Sequence, residues 1–213
     1  MSDRRLPVYI LLDTSGSMRG EAIHSVNVGM RAMLSALRKD PYALESAHLC
    51  IITFDLEAKV YLPLTPLHQV QFTDLAVPES GATFMGAALQ LLVARVDKDV
   101  RKSTRDMKGD WRPLLFLMTD GKPSDVHDFR QTIPEIKQRN FGHIVACGVG
   151  PYAKEEYLRE LTDNVETMAT MDEASFLRFF QMLSASVAAG SGGAGATGQA
   201  SLPPPPPEVQ LVL

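Results

Sequence analysis

Cysteine is scarce in this sequence of 213 residues, which contains only Cys50 and Cys147. Each lies inside an apolar run, and the two never form the C-x-x-C spacing of many zinc and redox sites. A free cysteine in such a run is most often a small buried hydrophobic residue. We therefore predict two buried thiols in central strands, and the spacing disfavours the alternative of a disulfide or a zinc role.

The sequence also has neither an excess of basic residues nor a long apolar run. The net charge is -4 and the sequence pI is about 5.7, so no overall basic field attracts nucleic acid. The apolar run after Met1–Arg5 is far shorter than a membrane span or the core of a secretion signal, and no other run approaches that length. Because no export signal is present, we expect a cytoplasmic protein.

Recognisable catalytic motifs are equally sparse. The five histidines are scattered without an H-x-x-x-H pair, and no G-x-x-x-x-G-K-[ST] loop is present. The segment Gly148–Ala153 fits the dinucleotide pattern G-x-G-x-x-A, but Pro151 lacks an amide that a pyrophosphate would need. We interpret this segment as a tight strand-to-helix turn, and we predict that the protein is not an enzyme.

The composition fits one domain, residues 1–187, followed by a tail, residues 188–213. Hydrophobic residues make up 45% and charged residues 22%, enough for one full core. In the tail, Ala188–Gln199 is nearly all Gly, Ala and Ser, Pro203–Pro207 predicts a polyproline II rod, and Glu208–Leu213 is largely apolar. We expect the tail to be disordered, and the alternative is that its apolar end docks on a partner or a neighbouring copy.

Short apolar runs alternate with stretches of helical periodicity along the domain. Such alternation predicts an α/β fold with a mainly parallel sheet. The predicted strands are 8–12, 47–54, 59–63, 114–118, 143–149 and 166–171. The predicted helices are 18–38, one from about 84 toward 107, one from about 124, 154–161, and one from 172. The proline in 59–63 favours an antiparallel edge strand.

Two of these helices carry unusual residues. The helix predicted after residue 84 has cations at helical spacing in its later half, namely Lys98, Arg101, Lys102, Arg105 and Lys108. We interpret them as a solvated face balanced by nearby aspartates, and the alternative is a docking stripe for an acidic partner. In the helix that follows, Ser124 is a candidate cap and Pro134 predicts a kink or a break.

Oxygen-bearing side chains follow the predicted strands at three places. Asp13, Ser15 and Ser17 form D-x-S-x-S after the first strand, Thr83 precedes a helix, and Asp120 closes the strand 114–118. Carboxylates and hydroxyls are hard ligands that suit Mg²⁺, Mn²⁺ or Ca²⁺. Because the carboxyl ends of parallel strands meet at one edge, we predict that these five residues bind one such ion. Taken singly, each of these residues could equally be a turn or a helix cap.

In their order and chemistry these five residues resemble the metal-ion-dependent adhesion site of von Willebrand factor A domains. The resemblance covers roughly Leu6–Val187. It implies a Rossmann-like three-layer sandwich whose six-stranded sheet has the order 3-2-1-4-5-6, with strand 3 antiparallel. It also implies that Asp13 and Asp120 emerge side by side.

Within that family, residues 13–18 and 111–121 are similar to bacterial TerY-type proteins of tellurium resistance operons. The resemblance implies an adaptor that binds an acidic residue of a partner through the metal, in a tellurite or stress resistance system with a protein kinase and a PP2C-like phosphatase. The alternative is a Mg²⁺-dependent phosphohydrolase or phospho-acceptor domain. Against it, no general base stands at a suitable spacing, and Ser15 replaces the second aspartate of haloacid-dehalogenase-type phosphatases.

Overall fold

The computed structural model describes residues 4–78, 81–170 and 173–191. They form one sheet between two helical layers. The strands are β1 (Leu6–Asp13), β2 (Ala47–Phe54), β3 (Ala58–Pro66), β4 (Leu114–Thr119), β5 (His143–Val149) and β6 (Val165–Met168). The helices are α1 (Glu21–Leu37), α2 (Pro41–Ser46), α3 (Met85–Asp99), α4 (Val126–Gln138), α5 (Glu155–Leu161) and α6 (Glu173–Ser191).

The sheet order is β3-β2-β1-β4-β5-β6, as the family resemblance implied. All neighbours are parallel except β2 and β3, which pair antiparallel. The strand order reverses between β1 and β4, so the carboxyl ends of these two strands lie side by side. Open α/β sheets bind ligands at this position.

Strand β1 is buried along its whole length. Val8, Ile10 and Leu12 face the core shared with α1 and α6. Tyr9 and Leu11 face the opposite core, shared with α3 and α4. Helices cover both faces, which explains why the strand reads as a continuous apolar run. The two cysteines follow the same pattern and are buried in β2 and β5, which confirms their predicted burial.

The prediction of a helix running toward residue 107 is wrong, because α3 ends at Asp99. The Arg5 guanidinium donates to the Asp99 carbonyl over 2.7 Å and to both carboxylate oxygens of Asp110 over 3.0 and 2.6 Å. These contacts hold the two ends of the following segment together, so residues 101–108 form an exposed loop. The cations beyond Lys98 therefore do not lie on a helix.

The first helix also begins later than predicted. Gly16–Met18 forms a single 3-10 turn, and α1 begins only at Glu21. Between them, Gly20 has φ 86° and ψ -122°, a conformation that side chains with a Cβ rarely adopt. The short helix α2 was not predicted. The Asp40 carboxylate caps it by accepting from the Ala43 amide over 2.8 Å.

Helix α4 has a different start from the one predicted, and it contains no break. It begins at Val126 after Asp125, so Ser124 does not cap it. It is continuous from Val126 to Gln138 although it contains Pro134, so of the predicted kink or break, the break does not occur. Phe129, Ile133 and Ile136 bury one face of the helix on both sides of the proline. This packing compensates for the hydrogen bond that the proline removes.

The last two elements also have different bounds from those predicted. Strand β6 ends at Met168, which pairs with the last residue of β5, Val149, so no partner strand continues the ladder. Helix α6 extends to Ser191, so residues 188–191 are helical rather than part of a linker. The rest of the predicted tail lies outside the described residues. Within the described ranges, no helix has both the length and the apolar character that a membrane span requires.

Candidate metal centre

Asp13 and Asp120 lie at the carboxyl ends of the two strands where the sheet order reverses. Asp13 is the last residue of β1, and Asp120 directly follows β4. Ser17, in the loop after β1, donates from its hydroxyl to Oδ1 of Asp120 over 2.8 Å. The hydroxyls of Ser15 and Ser17 are 3.2 Å apart. The structure therefore brings four of the five predicted residues into one hydrogen-bonded cluster.

The Asp13 carboxylate is held on both of its oxygens. Its Oδ1 accepts from the Ser15 amide over 2.8 Å, which closes a local turn. Its Oδ2 accepts from the Thr119 hydroxyl over 2.5 Å. Only 1% of Asp13 is exposed. Thr119 also accepts from the Gly121 amide over 3.1 Å, so one hydroxyl orients Asp13 and the turn that follows Asp120.

Thr83 reaches the cluster from the loop before α3. A Cβ placed on Gly121 would lie 3.4 Å from the Thr83 hydroxyl oxygen, so this hydroxyl lies beside the residue that follows Asp120. The Thr83 amide donates to the Ser124 hydroxyl over 3.1 Å, and the Ser124 amide donates back to the Thr83 carbonyl over 2.9 Å. All five predicted residues thus lie at one edge of the sheet.

The Asp125 carboxylate fixes the start of α3. It accepts from the Gly86 amide over 2.9 Å and from the Ala87 amide over 2.8 Å. The first amides of a helix have no partner within the helix, and an anion placed there also interacts favourably with the helix dipole. Asp125 therefore caps a helix other than its own and ties the loop after β4 to the loop that carries Thr83.

Asp55 links the loop after β1 to the loop before α3. The Thr14 hydroxyl donates to Oδ2 of Asp55 over 3.1 Å. The Phe84 amide donates to the Asp55 carbonyl over 2.8 Å. Asp55 follows the apolar strand β2 just as Asp13 ends β1, so its position at this edge could have been read from the sequence.

Burial raises the pKa of both carboxyl groups. Desolvation raises the pKa of Asp13 to about 6, and the nearby charge of Asp120 adds to the shift, although hydrogen bonds from Ser15 and Thr119 oppose it. Desolvation also raises the pKa of Asp120, against the hydrogen bond from Ser17. The negative charges of Asp13 and Asp120 repel each other and both are desolvated. A cation bound between the two carboxylates would relieve that cost.

The donor set fits a hard divalent cation. Oδ2 of Asp120 is buried and has no hydrogen-bond partner among the described residues. A bound cation would satisfy this atom, and the remaining oxygens are the carboxylates and hydroxyls that Mg²⁺ and Ca²⁺ prefer. In the described part of the chain, no three His, Cys, Asp or Glu side chains group as a metal site. This centre has only two carboxylates and would draw its other donors from hydroxyls.

Sequence reasoning assigned no role to Thr119 and Asp125, and it took Ser124 only as a candidate helix cap. Thr119 directly precedes the predicted ligand Asp120 and Ser124 follows it by four positions, which was the available signal for them. Asp125 precedes a helix and would ordinarily be taken as the cap of that helix. Its actual partners, the amides of Gly86 and Ala87, lie 39 and 38 positions away. Only the packing of α3 beside α4 brings them together.

Residues 8–182 match the family model for the von Willebrand factor type A domain. The match covers most of the chain, including all five predicted ligands. Comparison with curated protein sequences gave no match.

Solved structures share the same fold. Proximal thread matrix protein 1 from the mussel byssus, with a zinc-occupied MIDAS motif, superposes with a TM-score of 0.61 at 14% identity, over 89% of this chain and 46% of that chain. A von Willebrand factor type A protein from Catenulispora acidiphila gives 0.64 at 18% identity, over 87% and 43%. The pilus adhesin SpaC from Lactobacillus rhamnosus GG gives 0.67 at 12% identity, over 87% and 31%. This chain thus spans less than half of each of these solved chains.

Proposed function

Since this chain belongs to the von Willebrand factor type A domain family, we propose that it is a metal-dependent protein-docking module. Asp13, Ser15, Ser17, Thr83 and Asp120 would hold one divalent cation, Mg²⁺ or else Mn²⁺ or Ca²⁺. The observation that carries the proposal is the buried Oδ2 of Asp120, which has no partner among the described residues and lies in a cluster of hard oxygens.

The partner is proposed to be a protein that presents Asp or Glu. A divalent cation bound here would supply a coordination position for the partner's carboxylate. The residues of this chain prepare that position, because Thr119 and the Ser15 amide hold Asp13 in place. Burial of Asp13 and Asp120 also keeps water away and strengthens charge interactions. Recognition would therefore require both the cation and an acidic side chain.

The biological setting is proposed from the TerY-like segments, residues 13–18 and 111–121. These segments favour a bacterial tellurite or stress resistance system, in which the module would connect a protein kinase and a PP2C-like phosphatase in the cytoplasm. Domains of this family are generally binding modules rather than catalysts, and we propose the same here. An assay with a small aryl phosphate tests this point, because turnover that depends on Asp13 would contradict it.

Calorimetric titration of the full chain with Mg²⁺, Mn²⁺, Ca²⁺ and Zn²⁺ tests the metal site directly. The proposal expects one ion bound per chain, and Zn²⁺ is included because a related structure holds it in this motif. Absence of binding for all four ions at millimolar concentration would contradict the proposal. A pull-down from lysate with and without EDTA then tests the partner, which should be retained only when metal is present.

A further inference from the structure

Residues 101–108 form an exposed, positively charged loop between α3 and β4, here called the basic loop. It contains Arg101, Lys102, Arg105 and Lys108 against the single carboxylate of Asp106, and all eight residues are exposed. From the features below, we propose that the basic loop is a second docking surface, which takes an acidic, extended segment of a partner protein. This proposal does not depend on the metal site.

The ends of the basic loop are held together around a partly buried ion pair between Arg5 and Asp110. The Asp110 side chain is only 2% exposed and pairs with Arg5, and its Oδ2 also accepts from the Arg101 amide over 2.8 Å. Asp110 is thus neutralised by Arg5 and does not compensate the cations of the loop. These contacts of Asp110 bring Arg101 and Asp110 together, so the residues between them project into solvent.

Contacts within the basic loop define its shape. The Gly109 amide donates to the Ser103 hydroxyl over 2.9 Å, and the Thr104 amide donates to the Met107 carbonyl over 2.9 Å. A Cβ on Gly109 would lie 2.5 Å from the Ser103 amide nitrogen and 2.6 Å from the Arg101 carbonyl. The two sides of the loop therefore approach so closely that only glycine fits, and the cations are presented from a closed turn.

The cations of the basic loop are not compensated by acidic side chains, unlike two of the arginines elsewhere. In the described part of the chain, Arg130 pairs with Glu160 and Arg139 pairs with Asp97. No ion pair involves Arg101, Lys102, Arg105 or Lys108 among the described residues. Lys102 does lower the pKa of Asp97, but the hydrogen bond from Arg139 is the larger cause. The positive charge is therefore available to a partner.

The surroundings favour an acidic protein segment over nucleic acid. The whole chain carries a net charge of -4, which repels a long polyanion but leaves a local patch free to bind a short acidic segment. Met107 is 64% exposed within the loop and offers an adaptable apolar contact for a protein side chain. The nearby Trp111 ring is covered by the Arg4 guanidinium at 3.7 Å, so it is not open for base stacking.

The basic loop lies at the opposite edge of the sheet from the candidate metal centre. It leads into the amino end of β4, whereas Asp13 and Asp120 follow the carboxyl ends of β1 and β4, which are parallel. The two surfaces can therefore be occupied at the same time. A module with both surfaces could join two partners, one through a cation and one through charge complementarity.

The test measures binding of fluorescein-labelled decaglutamate to the full chain by anisotropy, in EDTA so that the metal centre is not loaded. The variant Lys102→Glu/Arg105→Glu should bind about tenfold more weakly, because two attractive charges become repulsive. The control Lys39→Glu/Lys154→Glu changes the net charge equally at exposed sites elsewhere. It should stay within about twofold of wild type, and binding should weaken in 1 M salt, where the Debye length is about 3 Å.

Three results would overturn the proposal. They are no binding of decaglutamate by wild type, equal weakening in the loop variant and the control, or tighter binding of a labelled 20-nucleotide single-stranded DNA than of decaglutamate. Gly109→Ala adds a charge-neutral test of the loop's shape. It should weaken binding while circular dichroism shows a folded chain, and unchanged affinity would overturn the role assigned to the closed turn.

Discussion

The hydroxyl of Ser17 donates to the carboxylate of Asp120 over 2.8 Å, across 103 positions of sequence. This bond joins the loop after β1 to the loop after β4. It also leaves the second oxygen of Asp120 buried and without a partner in the described part of the chain. The site is thus assembled by contacts between loops but is incomplete in hydrogen bonding, which is the arrangement expected of a cation site.

Asp13→Ala should abolish metal-dependent stabilisation and metal-dependent partner binding while the fold remains intact. A cation at one hundred times its Kd should stabilise the wild type by about 2.7 kcal/mol, because it binds only the folded chain. Thermal unfolding with EDTA and with Mg²⁺ or Mn²⁺ measures this difference. Asp163→Ala, which removes an exposed carboxylate, is the control. An unchanged metal-induced shift in Asp13→Ala would rule out the site.

Thr119→Val should weaken metal binding by about ten- to hundredfold, because Asp13 loses the hydroxyl that orients its Oδ2. Thr119 is fully buried, and valine has nearly the same shape, so packing is kept. Calorimetric titration gives the affinity. Thr119→Ser retains the hydroxyl and should recover most of the affinity, whereas equal losses in both variants would point to packing instead.

Asp125→Ala should lower the free energy of unfolding by about 1–2 kcal/mol, because two amides at the start of α3 lose their acceptor. Urea unfolding in EDTA measures this effect apart from metal binding. Asp128→Ala removes the same charge from the first turn of α4 and leaves those amides paired. The prediction fails if both variants lose the same stability.

Gly29→Ala should destabilise the protein, because a Cβ would lie 2.2 Å from Cδ2 of the fully buried Phe180. Overpacking costs about 1–3 kcal/mol, which exceeds the gain of up to about 1 kcal/mol from replacing glycine in a helix. Adding Phe180→Leu makes room for the methyl group. Urea unfolding of the single and double variants should therefore show non-additive losses, and strictly additive losses would contradict a direct contact.

Glu166→Gln should stabilise the protein at pH 7 but not at pH 4. Glu166 is 4% exposed, and burial raises its pKa above the ordinary value of 4.5. Below pH 4.5 the Glu166 carboxyl is mostly neutral in both the folded and the unfolded chain. As pH rises, the unfolded chain ionises first, so stability falls until the folded-state pKa is passed. Glutamine does not ionise, so Glu166→Gln removes the cost of keeping a buried carboxyl group protonated or charged.

The difference between wild type and Glu166→Gln, from urea unfolding across pH 4–7, isolates this group because other titrating groups cancel. Glu45→Gln, at an exposed position, is the matched control. A difference that is constant with pH would show that the substitution acts through packing rather than through charge.

Local sequence patterns were sufficient to recognise the buried strands and to suggest the members of the candidate site. A strand buried on both faces must be apolar throughout, which made β1, β2, β4 and β5 recognisable. Its end must return to polar residues, which marked Asp13 and Asp120. Strand order came from family resemblance, since no local pattern encodes which strands are neighbours.

Only the tertiary structure decided the features that depend on distant pairs of residues. The helical spacing of charged residues continues past Asp99. The helix nevertheless ends there, because Arg5 pairs with Asp110 across 105 positions and the residues before Asp110 form the basic loop. Asp125 has the local appearance of a cap for α4, but it caps α3, which packs alongside. Local propensities differ by only about 1 kcal/mol per residue, so packing and contacts between distant segments override them.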